Sequence, residues 1–297
     1  MLTELKKDNL DMKYLVVLVL FSLSFSLNAQ RKVSTEKGTV FVQWGYNRTH
    51  YTKSNLRVVG PGYDLTLSGA KAVDRPEAFS VNNYLNPTNL TVPQFNLRAG
   101  YYYKDKWAIS LGYDHFKYVF EDRNQVTLSG QIDPGVDTVS NWNGTYTGEK
   151  ITTKYSDFHY ENTNGMNFIR VELTRSFPLY SPRKNKNFGI VGNVGVSAGT
   201  ILSVNDFNFL GQFDRVTYSI SGYGFSGQSS VRFEFWKHLY LQGGLNTGFI
   251  HQVKVRTRPN DASSSARQAL GYVEYNVLIG GLFYLKPKGK CDDCPNW

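Results

Sequence analysis

The residues best equipped for chemistry stand in one stretch, Phe158 to Phe177, FHYENTNGMNFIRVELTRSF. His159, Glu161 and Asn162 look like pieces of a catalytic site, an imidazole and a carboxylate being what general acid–base catalysis uses. A covalent route also needs an activated nucleophile. Ser156 precedes the histidine, and Ser176 falls at the far end of the expected strand, so neither is well placed for one. The stretch itself reads first as a polar loop descending into a strand.

A second motif is Cys291-Asp-Asp-Cys294. Two cysteines at this spacing form a local disulfide or half of a zinc site; zinc would need two further ligands, and none is nearby. The disulfide is the preferred reading, and no βαβ context supports a thioredoxin-like role. His50, His115, His238 and His251 are dispersed, and neither a phosphate loop nor a dinucleotide fingerprint occurs, so no metal or cofactor is expected.

The elements that must position these groups begin after the N-terminus. Met12-Lys13-Tyr14 leads into LVVLVLFSLSFSLNA, a cation followed by an apolar run and small residues, which reads as a secretory signal over residues 1–29, with Met12 as an alternative start. The apolar run is shorter than the roughly 20 residues a spanning helix needs. Removing Glu4, Lys6, Lys7, Asp8, Asp11 and Lys13 leaves the net charge at +9. An exported chain with scattered cations is not expected to bind nucleic acid; the balance fits solvated loops and attraction to anionic lipid. The 20 Tyr and 19 Phe beside 27 Gly favour β-structure.

Segments of about ten residues with period-2 alternation recur along residues 30–285, the signature of transmembrane barrel strands. Val40, Val42, Trp44 and Tyr46 alternate with polar or small residues, as do Leu97, Ala99, Tyr101 and Tyr103, and Val273, Tyr275, Val277 and Ile279. Short turns are expected at Lys104 to Lys106, Pro178 to Asn187 and Trp236 to His238, and long polar loops at 52–92, 119–164, 203–220 and 254–269. This short–long rhythm predicts an all-β, up-and-down antiparallel transmembrane β-barrel of about eight strands in the outer membrane, with long extracellular loops and a periplasmic tail at 286–297. Tyr103, Trp107, Phe188, Phe233 and Phe283 fall beside the short turns, where an interfacial girdle belongs.

In these patterns the chain resembles the small outer-membrane barrels similar to the transmembrane domain of outer-membrane protein A. GYNRTHYTKSNLRVVGPGYDLTL and YENTNGMNFIRVEL also resemble an uncharacterised barrel family of the Bacteroidota. Small barrels include lipid A deacylases, whose pattern is similar to a His with a Ser two residues on and a more distant Glu. His159 and Glu172 match that outline and are the catalytic candidates that the resemblance implies, but Glu161 stands where the serine would be.

With the apolar face of each strand toward lipid, Gln43, Arg98, Asp114, Arg170, Glu172, Asn193, Gln228, Arg232, Glu234, Gln242, Glu274 and Asn276 point inward. An eight-stranded ring is just wide enough for side chains to fill it, and buried charges must pair, so Arg98, Arg170 and Arg232 are expected to form a network with Asp114, Glu172, Glu234 and Glu274. The expected function is a non-enzymatic barrel with a plugged polar lumen. Its expected partners are outer-membrane lipid and lipopolysaccharide, and an envelope or surface protein through loops 52–92 and 119–164. The alternatives are a lipid A-modifying acyl hydrolase at the outer rim and a small-solute channel.

Overall fold

In a computed structural model of the chain, the described residues are 34–285 except 79, 85, 87–92, 141 and 183–186. The expected signal segment and the tail carrying Cys291 and Cys294 lie outside them. The described residues form β1 (Thr39–Tyr51), β2 (Ser54–Gly60), β3 (Tyr63–Ala70), β4 (Ala72–Val73), β5 (Phe95–Lys104), β6 (Trp107–Phe120) and β7 (Gln125–Ile132). They continue as β8 (Gly144–Thr152), β9 (Phe158–Tyr180), β10 (Phe188–Phe209), β11 (Gln212–Phe235), β12 (Leu239–Arg258) and β13 (Asp261–Tyr284), with one short helix, α1 (Val81–Tyr84).

Eight of these strands close a ring in the order β1-β5-β6-β9-β10-β11-β12-β13, every neighbouring pair antiparallel. β13 returns to β1 in an unbroken register from Thr39 opposite Tyr284 to Tyr51 opposite Tyr272. Closure removes both sheet edges, so backbone polar groups of the ring can be satisfied in a medium without water. At the end holding Thr39 and Tyr284, the β5–β6 and β11–β12 connections are tight, with Lys106, Trp236 and Lys237 at positive φ.

The opposite end departs from the expected loops. Residues 203–220 and 254–269 are strand apart from a two-residue turn in each: β10 and β11 meet at Leu210-Gly211, both at positive φ (58° and 72°), as a two-residue type I′ turn requires. β12 and β13 meet at Pro259-Asn260. At 20 to 24 residues, β9 to β13 are about twice the 9–11 residues that a tilted strand needs to cross a bilayer. Residues 52–92 and 119–164 also contain strands: the hairpin β2–β3 joins β13, and β7 and β8 add to β3.

The polarity of the inner face changes along the strands. Near the tight turns and through the middle, outward residues are apolar and exposed, among them Val42, Leu111, Val171, Val196, Phe225, Val277 and Ile279, while through the middle the inward ones are largely polar. Beyond that belt the inward residues become apolar. Phe116, Phe158, Tyr160, Phe168, Phe207, Phe209, Val255 and Leu270 pack with Leu56, Val58, Leu65 and Leu67 of the β2–β3 hairpin and Val126 and Leu128 of β7. The inversion follows the solvent. A wall in lipid turns its apolar side out, whereas the same wall in water turns its apolar side in, each buried large side chain contributing about 1.5–3 kcal/mol. A smaller apolar cluster, Phe41, Tyr102, Ala108, Tyr240 and Leu282, sits inside the ring near the tight turns.

β5 begins at Phe95, although β1 runs on to Tyr51 and β6 to Phe120. Residues 72–78 pack against the outer parts of β1 and β6 beyond the start of β5. β4 pairs with Val119 and Phe120, Asp74 accepts a hydrogen bond from the Thr49 amide (3.3 Å), and Glu77 meets Lys117 at 2.5 Å.

Candidate functional site: the lumen and the outer rim

Inside the belt, Arg98 projects from β5, Asp114 from β6, Arg170 and Glu172 from β9, Arg232 and Glu234 from β11, and Glu274 from β13. All seven are buried. Arg98 meets Asp114 at 2.6 Å and Glu172 at 3.3 Å, and Arg170 meets the same two carboxylates at 3.1 and 3.5 Å. Two guanidiniums thus clamp two carboxylates across three adjacent strands. Gly112 makes room for the clamp: a Cβ there would lie 2.8 Å from Arg98 Nε. Arg170 also donates to Ser226 Oγ (2.6 Å) and Ser197 Oγ (3.2 Å).

Glu274 is held differently. Among the described residues its direct partners are amides: Asn276 donates at 2.8 Å, Asn96 at 3.0 Å and Asn246 at 3.1 Å, and Asn96 also donates to Asp114. The expected seven-membered ionic network is in fact two clusters, with Arg232 and Glu234 paired on their own at 2.7 Å toward the tight turns. There Arg232 donates to Tyr102 Oη (3.3 Å) and lies over the Tyr240 ring at 5.1 Å, while Tyr240 donates to Gln43 (2.9 Å). Asn193 accepts from Ser176 at 2.7 Å, and Gln228 donates to Thr174 at 3.2 Å. Between the clusters remains a void of about 30 Å³, bounded by Phe41, Arg98, Tyr102, Glu172, Arg232 and Asn276. That is room for about one water.

Sequence reasoning overlooked Asn96, Asn246, Tyr102 and Tyr240 as lumen residues. Asn96 carries a legible signal, since it shares the phase of Arg98. Tyr102 carries one too, as the middle of Tyr101-Tyr102-Tyr103 with both neighbours facing out.

The catalytic candidates do not share a site. Glu172 is in the lumen clamp, whereas His159 stands near the outer end of β9, thirteen residues away on one strand, or roughly 40 Å at 3.3 Å per residue. His159 is buried under Tyr155, with ring centroids 4.2 Å apart, and its Nε2 lies 2.8 Å from Glu161. Glu161 also receives Thr163 Oγ1 (2.9 Å) and Arg75 (3.1 Å). Burial disfavours the charge on Glu161, but the hydrogen bonds from His159 and Thr163 and the nearby Arg75 outweigh it and hold the carboxyl below its usual range. Ser156 Oγ donates to Asp157 (2.9 Å), and Ser176 Oγ is bonded to Tyr102 and Asn193 inside the ring. Through Arg75 the cluster ties residues 72–78 to β9.

A closed antiparallel ring with an apolar outer belt and polar inward residues is an outer-membrane β-barrel, and its place is the outer membrane of a Gram-negative envelope. By the usual asymmetry of such barrels, the tight turns face the periplasm and the extended end faces outward.

No protein-family model matches the chain, and no curated protein matches it. Among solved structures, it is similar to the outer membrane protein OprG from Pseudomonas aeruginosa at 13% identity and a TM-score of 0.37, covering 86% of this chain and 100% of that one. It is also similar to Ail, the attachment invasion locus protein of Yersinia pestis, in complex with the heparin analogue sucrose octasulfate, at 12% identity and a TM-score of 0.31, covering 83% and 99%. A further likeness, at 10% identity and a TM-score of 0.31, is to the outer membrane protease OmpT from Escherichia coli, covering 86% and 99%. Scores this low transfer nothing from those proteins, and the barrel assignment stands on the ring and its belt.

Proposed function

We propose that the chain is a non-enzymatic outer-membrane barrel whose lumen is plugged by its own side chains and whose outer β-structure binds at the cell surface. The observation that carries this reading is the filling of the ring at three levels. The aromatic cluster of Phe41, Tyr102 and Tyr240 lies nearest the tight turns, the Arg98–Asp114–Arg170–Glu172 clamp lies above it, and the apolar core around Phe158, Phe168 and Phe209 closes the outer end. A path for solute would have to break all three. Buried ion pairs left without partners are costly, so the clamp resists opening.

The outer half supplies what a binding role needs: a rigid, well-packed body carrying exposed residues on β8 and on the turns of 119–164 and 52–92. Its ligand is read as an envelope or surface protein, or lipopolysaccharide. The separation of His159 from Glu172, and the burial of His159 against Glu161 and Tyr155, support a structural rather than a hydrolytic rim.

The test is conductance of the folded full chain in planar bilayers, with lipid A from expressing and non-expressing cells compared by mass spectrometry. Absence of discrete channel steps and an unchanged acyl-chain count are expected. Stable ohmic steps would establish a channel, and loss of an acyl chain that depends on His159 would establish the hydrolase.

A further inference from the structure

Two grooves meet on the outer wall at Phe249. The lower one, about 730 Å³, crosses the lipid-facing side of β9 to β12 and is lined by Val171, Leu173, Val196, Phe225 and Gly227, with Phe249 at its top. The upper one, about 570 Å³, is polar and basic; it runs from Phe249 to Lys53, Asn55, Arg57, His251 and Arg267. The register sets their levels. Phe249 pairs with Gly271, His251 with Ala269, and Arg267 lies four residues above Gly271 on β13, roughly 13 Å at 3.3 Å per residue. Tyr223, Phe225 and Phe249 form an aromatic rim between the two, with Tyr223 and Phe225 ring centroids 5.7 Å apart. Aromatic side chains at this position mark the membrane–water interface.

The cations of the upper groove are not equivalent. Arg57 is neutralised by Asp64, which accepts two hydrogen bonds at 2.6 and 2.8 Å. Lys53 and Arg267 are exposed and make no ion pair among the described residues. His251 has its Nδ1 3.1 Å from the Tyr223 hydroxyl. An apolar channel in the belt thus leads directly into unneutralised positive charge just above the interface, and only an amphiphile with an anionic head satisfies both.

We propose that this double groove is a docking site for a phosphorylated lipid of the outer leaflet, its phosphate held by Lys53 and Arg267 and one acyl chain laid between Val196 and Phe225. A second copy related by a two-fold axis along the membrane normal would bring Lys53 and Arg267 against their own counterparts, which like-charge repulsion disfavours. The site rests on the outward orientation of the extended end argued above.

The test uses the full chain folded in detergent and native mass spectrometry with bis-phosphorylated lipid A, alongside lipid A stripped of its phosphates. Wild type should retain one bis-phosphorylated lipid per barrel and hold the dephosphorylated form more weakly. The double variant Lys53→Gln/Arg267→Gln should bind bis-phosphorylated lipid A roughly thirtyfold more weakly, two interfacial cations at their usual strength, and lose the preference for phosphate. Gly227→Val should weaken both lipids, because a Cβ there meets nothing within 4 Å and the new side chain would stand in the groove. Gly243→Val, equally open but outside the groove, should bind as wild type and serve as the folding control. Equal retention of the two lipids by wild type, an unaltered Lys53→Gln/Arg267→Gln variant, or a barrel dimer that excludes lipid would each overturn the proposal while leaving the barrel itself standing. Failure of wild type to fold in amphiphile would overturn both.

Discussion

Arg170→Met is the sharpest probe of the lumen. Arg170 is almost wholly buried and touches Asp114 at 3.1 Å, Glu172 at 3.5 Å, Ser197 at 3.2 Å and Ser226 at 2.6 Å. Methionine keeps the volume of the stem but leaves Arg98 alone against both carboxylates, at 2.6 and 3.3 Å. Ser197 and Ser226 already bond each other at 2.6 Å, so their loss is small and the uncompensated charge dominates. Breaking a buried pair from one side costs about 3–5 kcal/mol, a factor of roughly 10² to 10⁴ in the folding equilibrium. Reversible urea unfolding from phospholipid vesicles, followed by tryptophan fluorescence and the heat-modifiable gel band, measures it. Adding Asp114→Asn removes one of the stranded charges, so the double variant should be more stable than the sum of the two single effects by about 1–3 kcal/mol. A cost for Arg170→Met within about 0.5 kcal/mol of zero, the size of an ordinary surface change, would refute the clamp. Strict additivity with Asp114→Asn would refute the coupling.

Val171, exposed on the belt of β9, should not tolerate aspartate: basic residues cost about 2–4 kcal/mol at the bilayer midplane and acidic ones less, so Val171→Asp should lower folded yield on vesicles more than Val171→Thr does. Cysteines replacing the exposed Asn143 and Ser263 should react with an impermeant thiol reagent on whole cells, and one replacing Asp105, in the β5–β6 turn, should not; the reverse pattern would invert the barrel. Glu161 supplies a pH signature. Its carboxyl is held below the usual range in the folded chain, so its contribution is present at neutral pH and is lost as the pH falls below about 4.3 through the lowered value. The stability difference between wild type and Glu161→Gln should therefore be larger at pH 7 than at pH 3 in urea titrations, and a difference that grows on acidification would reverse the assignment.

Much of the ring was legible in the sequence because lipid imposes one rule on every strand within it. Alternation in Val273 to Ile279 and in Ile169 to Thr174 sets the facing of Glu274, Asn276, Arg170 and Glu172, and the tight turns at Lys106 and Lys237 supply the pairing. The outer half was missed because that rule inverts there. In HQVKVRTR of β12, Gln252 and Val255 point inward and Lys254 outward, so a reader who seeks apolar residues facing lipid sees only a polar loop. Leu56, Val58, Leu65 and Leu67 alternate around the turn Gly60-Pro61-Gly62 and could have been read as a hairpin, but a strand expectation limited to bilayer thickness stops short of it. His159 and Glu172 were linked by their likeness to the deacylase pattern. Thirteen residues within a loop can meet, whereas thirteen within one strand cannot, and whether the stretch was loop or strand decided the matter.

Site-directed spin labelling along β13 of the folded chain in vesicles tests the central account most directly, with molecular oxygen reporting lipid and a water-soluble nickel chelate reporting water. Labels at Val273, Tyr275, Val277 and Ile279 should be accessible to oxygen and shielded from the chelate, those at Glu274, Asn276 and Leu278 shielded from both, and those at Ser263 and Arg267 open to the chelate. Chelate reaching Glu274 and Asn276 would mean a water-filled lumen, and loss of the two-residue alternation between Val273 and Ile279 would mean that the strand does not face lipid on one side; either result contradicts a plugged barrel.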